Sequence, residues 1–351
     1  MKAVILVGGE GTRLRPLTLE TPKPVVPVVD RPFLLHQLDL LQTAGVREIV
    51  FSVAYRPEKI QAVFGDGSAF GRRIHYAVED DPLGTGGAVR NAQAFLDDTT
   101  IVLNGDVLTD VDLPAVVAEH RRGAARATIV LTPVDNPAAY GLVETEAGGQ
   151  VRRFIEKPSP SEITTDRINA GIYVLESSAL DAIPAGVNYS IERGFFPGLL
   201  SRGERVQSYD HRGYWIDIGT PEKYLQVHRD ILHARFRVAL DGAVRDGGVV
   251  HPTAEVAADA RLVAPFYVGP RCRVGPGAEL GPGAVLVADV ELAEAACVQD
   301  SVLWQGTALG RAARVTGALL GARVRVGHDA RVGAGAVLGS GSVVSEHSRT
   351  A

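Results

Sequence analysis

Gly8-Gly9-Glu10-Gly11-Thr12-Arg13-Leu14-Arg15-Pro16 sets three glycines and two arginines directly after a short apolar run. Glycines let successive backbone N–H groups converge on an anion, and Arg13 and Arg15 can add charge-assisted bonds to phosphate oxygens. The spacing is not the G-x-x-x-x-G-K-[ST] phosphate loop, since the chain contains no Gly-Lys pair. Nor is it the dinucleotide fingerprint, because Leu14 occupies the third glycine position. A little further on, Thr21-Pro22-Lys23-Pro24 holds one lysine between two prolines whose fixed φ stiffens the backbone beneath a flexible cation. By themselves these residues leave a plainer reading open, in which the glycines turn a tight corner and Lys23 is a solvated loop lysine.

Such residues need elements to aim them. From Met1 to about Phe236, short β-branched runs alternate with helix-length amphipathic segments, the pattern of a mostly parallel sheet covered by helices. The spacing predicts strands at Ala3 to Val7, Glu48 to Val53, Ile74 to Val78, Thr100 to Leu103, Ala127 to Val134, Val151 to Ile155 and Ile168 to Val174. It predicts helices at Pro32 to Ala44, Gly86 to Phe95, Leu113 to Arg122, Ser190 to Leu200 and Pro221 to His233. The glycine loop then sits at the carboxyl end of the first strand, where open α/β sheets bind ligands.

A different rule governs the second half. No lysine follows Lys223, and apolar residues recur every six positions from Val256 through Leu262, Val268, Val274, Leu280, Leu286, Leu292 and Val298 to Trp304. The phase slips by one to Leu309 and Val315, and again to Leu320, Val326, Val332, Leu338 and Val344. A hexapeptide period marks a parallel β-helix, three short faces to a coil, here about five coils. The expected domains are 1–236 and 249–346, with the boundary in the stretch from Arg235 to Gly248. The plain reading of the repeat is a structural or oligomerisation module whose exposed ends favour self-association. An acyltransferase would need a general base, and His251, His328 and His347 lie in no motif that supplies one.

Thirty-six Lys and Arg against 41 Asp and Glu give a net charge of -5, which leaves no broad basic surface for nucleic acid. Cys272 and Cys297 are too few for a disulfide framework and fit a reducing compartment. The opening run meets glycines rather than a cleavage site, and no apolar stretch nears the roughly 18 residues of a membrane span. The expectation is a cytoplasmic protein with no membrane partner.

The run GGEGTRLRPLT followed by PKP resembles the signature of the sugar-1-phosphate nucleotidylyltransferases. The likeness continues in family order through Glu79-Asp80-Asp81-Pro82-Leu83-Gly84-Thr85-Gly86-Gly87, Asn104-Gly105-Asp106, Tyr140-Gly141, Glu156-Lys157-Pro158, Asn169-Ala170-Gly171 and Trp215-Ile216-Asp217-Ile218-Gly219-Thr220. A left-handed β-helix after a Rossmann-like α/β domain is usual in the branch similar to mannose-1-phosphate guanylyltransferase, so the resemblance extends over essentially the whole chain. It implies attack by a sugar 1-phosphate oxygen on the α-phosphate of a nucleoside triphosphate, with release of pyrophosphate. That nucleophile is already ionised, so no protein nucleophile is required. None of the nine histidines forms the His-x-His pair that a covalent route would suggest.

The resemblance implies that Asp106 and Asp217 hold Mg²⁺, for which hard carboxylates are suited, while Arg13 and Lys23 contact the triphosphate. It places Leu6, Gly8, Gly9, Gly11, Thr12, Glu79, Pro82, Gly84 and Thr85 with Asp106 around the nucleotide. It places Asn104, Gly141, Glu156, Lys157, Asn169, Glu192 and Arg193 with Asp217 around the sugar phosphate, Lys157 gripping the phosphate and Glu156 accepting from hydroxyls. Arg193 stands where related enzymes often carry lysine, and a planar fork does not replace a point charge. The residues alone also allow an Asx-type turn at Asp106, a helix-start role for Asp217 and a surface pair at Glu156 and Lys157. The Glu79 loop is closer to guanylyltransferases than to thymidylyltransferases. Its carboxylate can accept from guanine N1–H and the exocyclic amine, or can cap the neighbouring helix. GTP and mannose 1-phosphate are the expected substrates, with another nucleotide, or a heptose, glucose or cyclitol phosphate, as alternatives. A non-catalytic regulatory subunit is the alternative of a different class, and the intact set Arg13, Lys23, Asp106, Lys157 and Asp217 argues against it.

Overall fold

The computed structural model describes residues 1–350. They form two compact units, Met1–Glu10 with Leu34–Trp215, and Gly11–Phe33 with the chain from Ile216 onward.

In the first unit, Lys2–Leu6 is paired in parallel on both sides, with Glu48–Val53 and with Thr99–Asn104. Ala3, Val4 and Ile5 are fully buried, as expected of a central strand covered on both faces. Arg73–Val78 extends the parallel side beyond Glu48–Val53. On the other side Arg167–Glu176 turns antiparallel against Thr99–Asn104 and against Ala127–Pro133, so the nine-stranded sheet is mixed. The predicted strands all form, within one or two residues at each end. Sequence reading missed two members of this sheet, Gly141–Thr145 and Val206–Asp210, and the helix Pro57–Phe64. The segment predicted helical from Ser190 is a π turn, Ile191–Phe195, leading into a short α-helix, Phe196–Ser201.

In the second unit, short strands stack in parallel into three faces. One rung follows the next at 18 residues, as in Phe266↔Ala284 and Arg273↔Glu291. This is the pattern of a left-handed β-helix. Val274, Leu280, Leu286, Leu292 and Val298 stack inward as their period predicts. The first slip falls one position earlier than the sequence suggests. Leu303 joins the inner stack, and Trp304, expected on it, does not. Trp304 is fully buried elsewhere, its indole Nε1 donating to the Tyr224 hydroxyl at 3.0 Å. That hydroxyl in turn donates to the carbonyl of Pro27, so one buried chain of hydrogen bonds links a coil, the helix Pro221–Leu232 and the segment that follows Lys23.

Candidate active site

The site begins where the central strands stop. The Gly105 N–H donates to the Leu6 carbonyl at 2.9 Å, and a Cβ at Gly105 would lie 2.5 Å from that oxygen. Only glycine permits this approach, which sets Asp106 beside the end of the first strand. Gln37 Nε2 donates to the carbonyls of Asn104 and Val107, both at 2.8 Å, and holds the turn from behind. The Asn104 side chain leans on Gly171, whose φ of 72° and missing Cβ leave it room. Its Oδ1 is buried without a hydrogen-bond donor, an acceptor available to a ligand.

Gly8 and Glu79 share this edge, since a Cβ on Gly8 would lie 3.7 Å from Glu79 Oε1. Gly9 is exposed. Glu79 is buried and its oxygens are engaged: Oε1 accepts from Ser52 Oγ at 2.8 Å and Oε2 from Leu83 N–H at 2.9 Å. The carboxylate therefore ties down the loop leading into the helix Gly84–Asn91 without capping that helix, and keeps remaining lone pairs for a base. Pro82 is exposed, and its carbonyl accepts from Asn188 Nδ2. The glycines of that helix answer a crowded approach, for a Cβ at Gly87 would lie 2.5 Å from the Val187 carbonyl. Thr85 accepts from Ile191 N–H at 2.9 Å and donates to Glu192 Oε2 at 2.7 Å. The loop expected at the nucleotide and the segment expected at the sugar are thus one hydrogen-bonded unit.

Glu156 faces Gly141 across paired strands, and a Cβ there would lie 2.9 Å from Glu156 Oε2. Burial raises the Glu156 pKa, and Glu192 adds to the rise, while Arg193 and Lys157 oppose it. Lys157 is exposed and takes a φ of 54°, in the left-handed region. Asn169 donates from Nδ2 to the Tyr173 hydroxyl at 2.7 Å and accepts from Gly171 N–H at 3.0 Å. The buried Tyr173 phenol has its pKa raised by burial first, then by the charges of Glu192, Glu156 and Asp106. Arg193 is exposed, and its N–H donates to Ser190 Oγ at 3.1 Å.

The second unit carries the remaining residues. Gly11, at a φ of 64°, lies beneath Lys23, whose Cβ would be 3.2 Å from a Cβ on the glycine. Thr18 Oγ1 donates to the Gly11 carbonyl at 2.8 Å, and Thr12–Leu14 forms a single 3₁₀ turn. The Arg13 guanidinium rests on Gly219, where a Cβ would meet Nη2 at 2.8 Å. Asp217 is not the cap of the following helix; Thr220 is, accepting from Lys223 N–H. Instead Asp217 Oδ1 accepts from Lys223 Nζ at 2.5 Å, a pair that sequence reading missed. Asp106 and Asp217 each supply hard carboxylate oxygens, one in each unit. This donor chemistry fits Mg²⁺.

Glycine turns and buried acceptors at the carboxyl ends of parallel strands define an α/β enzyme that handles nucleotides. The nucleotidyl transferase family matches residues 2–234, and the GMPPB C-terminal domain matches residues 245–349. The chain belongs to the nucleotidyl transferase family. It is 41% identical to the mannose-1-phosphate guanylyltransferase of Mycobacterium tuberculosis over 76% of this chain and 74% of that protein. It is 33% identical to the UTP–glucose-1-phosphate uridylyltransferase of Synechocystis over 92% of this chain and 88% of that protein. Among solved structures, HddC from Yersinia pseudotuberculosis, crystallised with GMP-PN, matches with a TM-score of 0.57 and 29% identity, over 65% of this chain and 98% of its own.

Proposed function

We propose that the protein is a sugar-1-phosphate guanylyltransferase that converts GTP and mannose 1-phosphate to GDP-mannose and pyrophosphate. The observation that carries this reading is the carboxyl edge of the central strands, where the Gly105 turn sets Asp106 beside the end of the first strand. The guanylyltransferase of Mycobacterium tuberculosis, at 41% identity, supports the choice of substrates. So does the guanine nucleotide GMP-PN bound by HddC. In this reading residues 1–236 form the nucleotidyltransferase domain and 249–346 the β-helix. Two free cysteines, both buried, fit a cytoplasmic setting, and the exposed ends of the β-helix make it the place of self-association.

A phosphate oxygen of the sugar 1-phosphate attacks the α-phosphorus in line. A new P–O bond forms as the bond to the β-phosphate oxygen breaks, and pyrophosphate leaves with that electron pair. Both substrates are anions, so positioning and neutralisation carry the catalysis. Arg13 and Lys23 bind the triphosphate and stabilise charge on the departing group. Lys157 holds the sugar phosphate, Glu156 and Asn169 take the sugar hydroxyls, and Glu79 faces the base. Asp106 and Asp217 would hold Mg²⁺, which supplies charge neutralisation at the phosphates.

The test is a matrix of GTP, UTP, dTTP and ATP against mannose, glucose and heptose 1-phosphates, read as pyrophosphate release. The highest kcat/KM is expected for GTP with mannose 1-phosphate. The Synechocystis relative favours one second reading, UTP with glucose 1-phosphate, and a maximum there would replace the first.

A further inference from the structure

Remote in sequence from every residue of the candidate active site, His328, Asp329 and His347 each bring one ligand-type atom to within 4.8 Å of the other two. We propose that this corner of the β-helix is a binding site for a divalent transition ion of the zinc class.

The convergence is written into the rung spacing. Arg325–Val326 pairs in parallel with Val343–Val344, and Arg331 with Arg349, so the corners between them stack one strand spacing apart. The His347 N–H donates to the His328 carbonyl at 3.0 Å and fixes that stacking. The lower corner reads His328-Asp329 and the upper Glu346-His347, so acid and imidazole exchange places between rungs. Each histidine thereby meets a carboxylate. His328 Nδ1 lies 2.9 Å from Glu346 Oε1, and His347 Nδ1 lies 3.8 Å from Asp329 Oδ2. The two imidazoles meet edge to face at 4.7 Å.

The donor set selects the ion. Two imidazole nitrogens and a carboxylate suit zinc and its neighbours, whereas Mg²⁺ and Ca²⁺ prefer oxygen throughout. When His328 donates from Nδ1 to Glu346, its Nε2 lone pair is left as the ligand atom, with Glu346 as the outer support common behind metal-binding histidines. Three protein ligands and one water complete a four-coordinate site open to solvent. Closing from 4.8 Å to the roughly 3.3 Å separation of ligands in such a site requires only side-chain rotation, since all four side chains are partly or fully exposed.

The full chain, freed of metal with a chelator, is titrated with Zn²⁺ by calorimetry in excess Mg²⁺, which occupies hard-donor sites. One equivalent is expected to bind, with at least a tenfold weaker Kd in His347→Ala and complete loss in His328→Ala/His347→Ala. Co²⁺ should give the intense visible bands of a four-coordinate site in the parent chain and not in the double variant. No bound Zn²⁺, or binding unchanged in the double variant, would overturn the proposal. Asp329→Asn, expected to weaken Kd in the same sense, decides the matter if a histidine variant does not fold. Nucleotidyl transfer is expected unaltered in all three, so the result stands apart from the proposed activity.

Discussion

In the proposed role of Asp217 as a holder of Mg²⁺, its ion pair with Lys223 sets how much metal the reaction needs. Lys223 Nζ occupies Oδ1 of Asp217 at 2.5 Å, so the ammonium and a divalent ion compete for one carboxylate. Lys223→Met removes the competitor, and the Mg²⁺ concentration giving half-maximal rate should fall severalfold. An unchanged or higher requirement would show that Lys223 does not act on the metal. Asp217→Asn, which removes the anionic ligand, should lower kcat by about a hundredfold or more, the scale of losing one preorganised electrostatic group. His228 makes a separate prediction about stability. It is fully buried, its Nδ1 donates to the Tyr224 carbonyl at 2.7 Å, and burial holds its pKa down to about 4. The unfolded chain protonates near pH 6.5 and the folded chain does not. Stability is therefore complete above that pH and declines as pH falls toward 4, by up to roughly 3 kcal/mol. Urea unfolding across pH 7.5 to 4 should show this slope in the parent chain and a flatter one in His228→Gln. Equal slopes would exclude His228 as its source.

At the scale of elements, the buried chain from Trp304 through Tyr224 to Pro27 is the joint on which the Lys23 segment rests. Trp304→Phe removes one donor and should cost about 1–2 kcal/mol. Tyr224→Phe orphans both a buried indole N–H and a buried carbonyl and should cost more, about 2–4 kcal/mol. Urea midpoints give the order, and the reverse order would mean that the two bonds are not one chain. Nothing in the sequence announced this joint. The six-residue period made Leu286, Leu292 and Val298 legible as inner-stack positions, because each rung repeats the same local geometry. At Trp304 the same period misled, since tertiary burial against Tyr224 was stronger than the phase. Glu48–Val53 and Leu113–Arg122 were legible to the residue from apolar patterning and, for the latter, an Asp cap. Gly141–Thr145 was hidden because its strand character depends on pairing with Val151–Glu156 rather than on its own residues. In the site, motif order marked Glu79 and Thr85. Their bonds to Leu83 and Glu192 could not be read from spacing, for Thr85 and Glu192 lie 107 residues apart.

Over the whole molecule, the partition of the chain bears on what the repeat contributes. HddC is matched over 98% of its length by 65% of this chain. Here Gly11–Phe33, with Arg13 and Lys23, shares a compact unit with the coils. Arg229 Nε pairs with Asp300 Oδ1 at 2.6 Å, Arg323 reaches Glu20 at 3.5 Å, and Pro16 packs where a Cβ on Gly339 would stand 3.2 Å away. The exposed pairs add little to stability by themselves. Together with the buried Trp304 bond they limit the freedom of the segment that carries both cations, and in the proposed function, where Arg13 and Lys23 bind the triphosphate, ordering that segment beforehand lowers the entropy lost on binding. A chain ending after Phe236 should therefore keep the circular dichroism of the mixed sheet while its KM for the nucleoside triphosphate rises at least tenfold. Lys157 and Asn169 remain in place in such a chain, so KM for the sugar phosphate should change much less. Equal losses for both substrates would point to general unfolding, and full kcat/KM in the shortened chain would mean that the coils do not order the triphosphate loop.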